Sequence, residues 1–85
     1  MPVLSTFYGI VVYINFRDHS PPHFHVRYGD DEVSVEIHTG KVKGEMSKRA
    51  LQMVFEWMDI HKLELINAWN NAEKSQTINK IDPLP

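Results

Sequence analysis

The chain has 85 residues, 42% of them hydrophobic and 24% charged, with a formal net charge of −2 and no cysteine. Such a composition belongs to an ordinary folded protein, and the length supports one core and a single domain over 1–85. The missing thiols exclude disulfides, thiolate zinc sites and cysteine nucleophiles, and the acidic balance argues against a protein that coats nucleic acid by charge alone.

The first predicted element is a strand over 7–16, FYGIVVYINF, rich in β-branched and aromatic residues. Its apolar run GIVVYI is far too short to span a membrane, and no basic segment followed by an apolar core opens the chain, so a cytoplasmic protein without membrane contact is expected. The segment DHSPP then breaks the strand, because Asp and Ser favour turns and prolines cannot donate to a sheet ladder. A second strand, HFHVRY (23–28), ends at the turn signal GDD, and EVSVEIH (32–38) alternates apolar and polar residues as a third. TGKVKGE (39–45) reads as a glycine-punctuated loop with room for a last short strand. Ser47 is a helix N-cap, and Ala50, Leu51, Val54, Phe55 and Met58 follow at helical spacing. Leu65, Ile66, Trp69 and Ala72 continue the rhythm. An unbroken helix over 47–74 would be about 42 Å long, longer than so small a domain is wide, so a break is expected near Asp59–Lys62. In the tail, Ile78, Ile81 and Leu84 either pin the chain to its body or reach for a partner. The expected fold is α+β: a three-stranded antiparallel meander with two C-terminal helices on one face.

Strand alternation sorts the side chains. With Ile10, Val12, Ile14 and Phe16, then Phe24, Val26 and Tyr28, then Val33, Val35 and Ile37 turned to the helices, the opposite face collects Tyr13, Asn15, Arg17, His23, His25, Arg27, Glu36 and His38. Three of the chain's five histidines fall between His19 and His25, around Pro21 and Pro22. A lone strand histidine is usually incidental, and prolines in a hairpin often only stiffen it; the cluster carries more weight than its members. Three uses fit. His23 and His25 point the same way and could ligate a metal completed by Asp18, His19, Glu36 or His38. They could act as general acid and base on an RNA phosphodiester, with Arg17 and Arg27 holding the phosphate and no metal required. Or the face, with Tyr13 for stacking, could simply bind RNA or protein. His61 reads as a surface or helix-end residue. Trp57 and Trp69 read as core, and the Lys41–Arg49 stretch, with a local excess of three positive charges, as a solvated loop that could grip a phosphate backbone.

The opening MPVL with FYGI, the signature DHSPPHFHV, the EIHTG at 36–40 and the closing IDPL resemble a family of small bacterial domains of unknown function, number 4160. That resemblance implies a bacterial origin and a gene neighbour encoding a second small protein, as in toxin–antitoxin pairs. A looser likeness in layout to messenger-RNA-cutting toxins of the HicA type places His23 or His25 at their strand histidine, although Pro21-Pro22 stands where they have a glycine-serine turn. The combined expectation is the toxin-like component of a two-gene module acting on RNA as a metal-independent ribonuclease. His23 and His25 are its catalytic pair, and Arg17, Arg27, His19, Tyr13, Glu36 and His38 its binding residues. No metal and no cofactor are expected. Its partners are RNA, a small cognate protein and a second copy of the chain. The alternatives are a non-enzymatic regulatory module working through the sheet face or tail, and a metal-binding variant of the same histidine site.

Overall fold

In the computed structural model, which describes all 85 residues, the sheet has five strands rather than three. They are β1 (Val3–Phe7), β2 (Ile10–Tyr13), β3 (His23–Tyr28), β4 (Asp31–Glu36) and β5 (Val42–Lys43), each antiparallel to the next in that order. The meander is as expected; the count differs for two local reasons. The stretch expected as one strand over 7–16 contains a hairpin, in which Tyr8 and Gly9 both take positive φ (50° and 80°) and turn Phe7 to face Ile10. Two left-handed residues in succession make the tight turn that matches strand twist. At the other edge, Gly44 (φ 105°) lets the chain lie so close to β4 that a Cβ there would sit 2.8 Å from the Glu32 carbonyl oxygen, and β5 forms beside it.

Helix α1 (Lys48–Ile60) starts at Ser47, whose hydroxyl accepts from the Ala50 N–H at 3.1 Å, and α2 (Lys62–Glu73) follows after a single residue. The break expected near 59–62 falls at His61, in a molecule 33 Å across its longest axis. His61 is buried, not on the surface: it donates from Nδ1 to Glu64 at 2.6 Å, and its ring lies 5.6 Å from that of Trp57. No helix is long and apolar enough to cross a membrane.

Nineteen buried apolar side chains form one cluster between sheet and helices, with Trp57 lying against both Phe7 and Phe24. Trp69 is buried there too, as expected. Phe16 departs from its expected inward place, being 46% exposed, because the strand has already ended at Tyr13. The tail is pinned. Ile81 is buried and donates its N–H to the Leu4 carbonyl at 2.8 Å, covering the outer edge of β1, while Trp57 Nε1 donates to the Asp82 carbonyl at 2.8 Å.

Candidate functional site

Two structural units build the site. One is the loop 14–22 between β2 and β3. Its first half is tied down where the Arg17 N–H donates to the Ala72 carbonyl at the end of α2 (3.1 Å), and its far end where Pro22 accepts from the Ile37 N–H (3.0 Å). Between these anchors, with the Ser20–Pro21 peptide cis, the loop presents Asp18 and His19. The other unit is the outer face of the sheet. Cross-strand register sets Tyr13 opposite His25, His25 opposite Ser34, and Ser34 opposite Lys43, so one row crosses β2 to β5; His23 pairs with Glu36 in the next row.

Loop and sheet meet in a cleft of about 320 Å³ lined by Asn15, Asp18, His19, Ser20, Pro21, His23, His25, Ser34, Glu36 and Lys43, with no strongly apolar side chain among them. Asp18 is its centre. Oδ1 accepts from the backbone N–H of His19 at 2.8 Å and lies 2.9 Å from His19 Nδ1. Oδ2 lies 3.0 Å from His23 Nε2 and 3.3 Å from His25 Nε2. Partial burial works to raise the Asp18 pKa. Hydrogen bonding with His25, the His19 N–H, and the charge and hydrogen bond of His23 together outweigh it and hold the carboxyl at about 2.

The two strand histidines are held in defined orientations. His23 Nδ1 lies 2.7 Å from the Pro21 carbonyl oxygen, which can only accept, so Nδ1 carries the proton. The ring of His23 is buried and lies 5.1 Å from that of Trp69 on α2. His25 stacks on Tyr13 (4.9 Å, 14° between planes) and takes a long contact, 3.4 Å, from Asn15 Nδ2. An amide nitrogen only donates and a carboxylate oxygen only accepts, so His25 Nε2 accepts from Asn15 in one tautomer and donates to Asp18 Oδ2, at 3.3 Å, in the other.

The structure brings together His19, His23, His25 and Glu36 of the expected set, and separates the rest. Arg17 (φ 53°) turns away and donates from Nε to Ser75 Oγ at 2.9 Å. Arg27 pairs with Glu32 at 3.3 Å and lies over the Tyr13 ring, 5.5 Å from its centroid. Neither arginine lines the cleft. Tyr13 is 5% exposed and already stacked, so it has no free face for a base; burial and Glu32 raise its hydroxyl pKa. His38 lies outside the cleft. His23, expected to exchange protons with a substrate, has both ring nitrogens engaged within the protein, whereas His19 is 85% exposed and keeps Nε2 free. Lys43 is the one lysine or arginine that lines the cleft. It was legible only as part of a basic loop, because two-residue β5 gives no alternating pattern.

A family model described as a domain of unknown function, DUF4160, matches residues 9–70. No curated protein and no solved structure matches the chain.

Proposed function

For this chain, which belongs to the DUF4160 family, a domain of unknown function, we propose the role of an RNA-acting, toxin-like component of a bacterial two-gene module, with the Asp18 cleft as its phosphodiester site. The observation that carries this reading is the Asp18 carboxylate, gripped on one oxygen by His19 and on the other by His23 and His25, at the centre of a cleft walled by polar groups and one lysine. A polar trough of this kind suits a sugar–phosphate backbone, not an apolar small molecule. Lys43 contacts the phosphate. His19, oriented through Nδ1 by Asp18, takes the 2′-hydroxyl proton on its free Nε2. The 2′-oxygen then bonds to phosphorus, the bond from phosphorus to the 5′-oxygen breaks, and that oxygen leaves with a proton from water.

The test is incubation of the pure protein with an end-labelled single-stranded RNA and its all-deoxy counterpart, each with EDTA and with added Zn²⁺ or Mn²⁺. The expected result is cleavage of the RNA alone, with His19→Ala slowing it about 100-fold or more while folding is retained. Intact RNA under every condition would sink the reading.

A further inference from the structure

His23 Nε2, His25 Nε2 and Asp18 Oδ2 converge on one point of the cleft. His23 Nδ1 carries that ring's proton toward the Pro21 carbonyl (2.7 Å), so in the neutral ring Nε2 is a bare lone pair. His25 Nε2, 3.4 Å from Asn15 Nδ2, presents a lone pair when its ring proton is on Nδ1. Asp18 Oδ2 is a carboxylate oxygen. With each ring neutral and its proton on Nδ1, three lone-pair donors face one another, with His23 and His25 only 3.0 and 3.3 Å from Asp18 and all three ligand atoms within 4.8 Å. Such a set is held together either by ring protons that hydrogen-bond Asp18 or by a cation that takes their place.

We propose that Asp18, His23 and His25 form a binding site for a divalent transition-metal cation, held through Oδ2 and the two ε-nitrogens. The spacing agrees. A cation with bonds of about 2.1 Å in tetrahedral or octahedral geometry sets neighbouring donors about 3.0–3.4 Å apart. Two imidazoles and one carboxylate favour zinc and its first-row neighbours over magnesium or calcium, which prefer shells of oxygen. The supporting contacts are those a metal site uses: a carbonyl on the far nitrogen of His23 orients its ring, and Trp69 and Tyr13 pack the two imidazoles from behind. The side chains of the three ligands are 10–19% exposed, so the cation is shielded yet reached from the cleft. Three protein ligands leave a position for water or a phosphate oxygen, as in a catalytic centre and not a closed structural one.

This inference deepens the RNA proposal, on which the cation's catalytic use rests; the binding itself does not. In that use Asp18, His23 and His25 would hold a cation that would supply charge stabilisation to the phosphate, and His19, on the opposite oxygen of Asp18, stays free to carry the proton. Two histidines read from sequence as a metal-free acid–base pair thus become ligands.

The experiment is titration of chelator-stripped full-length protein with Zn²⁺ by calorimetry, alongside the visible absorption spectrum after loading with Co²⁺. One Zn²⁺ per chain is expected, with affinity lowered at least a hundredfold in Asp18→Asn and His25→Ala and unchanged in His38→Ala. The cobalt spectrum of the unaltered protein, which depends on no variant's folding, should show four- or five-coordinate bands. Absent binding, an aquo-like cobalt spectrum, or undiminished affinity in both variants would overturn the site. Zinc binding by a protein that cuts no RNA would uphold the site and sink the RNA reading; RNA cleavage that persists in chelator, with no zinc uptake, would do the reverse.

Discussion

The ring of Trp69 lies 5.1 Å from that of His23, so a helix on the covered side of the sheet supports a histidine of the candidate site. Trp69→Ala removes both a buried core side chain and the backing of that ring. It should cost about 3–5 kcal/mol of stability and weaken Zn²⁺ binding about 10-fold or more, the usual scale for lost support behind a ligand. Trp69→Phe should recover most of the affinity. Urea denaturation and zinc titration of both variants give the comparison; an affinity unchanged by Trp69→Ala would mean that the loop and Pro21 alone orient His23.

Asp18 titrates far below its usual range, and this fixes a pH dependence of stability. Its folded pKa, about 2, lies under the unfolded value of 3.8, so the unfolded chain binds the proton more readily. The stabilisation is present in full above pH 4 and is lost as pH falls through about 2. For a side chain only 15% exposed the loss is on the order of 2 kcal/mol. In chelator-treated protein, the unfolding free energy of wild type should therefore fall more steeply between pH 4 and 2 than that of Asp18→Asn. Parallel curves would show that Asp18 gains nothing from its histidines.

Gly44 lies close against β4, just past β5. At φ 105°, with the Glu32 carbonyl 2.8 Å from any added Cβ, Gly44→Ala must displace backbone. A loss of about 1–3 kcal/mol is expected from this strain. Since β5 carries Lys43 into the cleft, RNA binding at low salt should weaken as well. Equal stability of the variant and wild type would show that β5 can shift without cost.

Removing Ile81–Pro85 strips a buried side chain, the Ile81 N–H to Leu4 bond and the acceptor of Trp57 Nε1. The expected cost is about 3–5 kcal/mol, with self-association through the uncovered β1 edge, read by denaturation and light scattering. A truncated chain as stable and monodisperse as wild type would show that the tail is dispensable.

What could be read from sequence was whatever strand alternation and helical spacing encode locally. Val33, Val35 and Ile37 against Ser34 and Glu36 gave the faces of β4, and the same rule placed His23 and His25 together. The α1–α2 break followed from length alone. Three features lay beyond that logic. The hairpin at Tyr8-Gly9 needs a tyrosine at positive φ, which its residue type does not advertise. The loop that presents Asp18 is tied down by a hydrogen bond between Arg17 and Ala72, residues far apart in the chain. The separation of Arg17 and Arg27 from the cleft follows from partners, Ser75 and Glu32, that no periodicity assigns.

The hydrogen bond from Arg17 to Ala72 also ties the site to the docking of α2. Asp18 is carried by a loop fastened to the last turn of α2, and the two imidazoles stand on β3. Their meeting point lies on a seam between layers that are made from distant parts of the chain. A polypeptide whose helices have not yet docked holds the same residues with no common centre, so ligand capture reports the closing of that seam. Bound cation would in turn rivet it shut, slowing its opening more than that of the sheet interior, which hydrogen exchange at the Arg17 and Ile37 amides is placed to record.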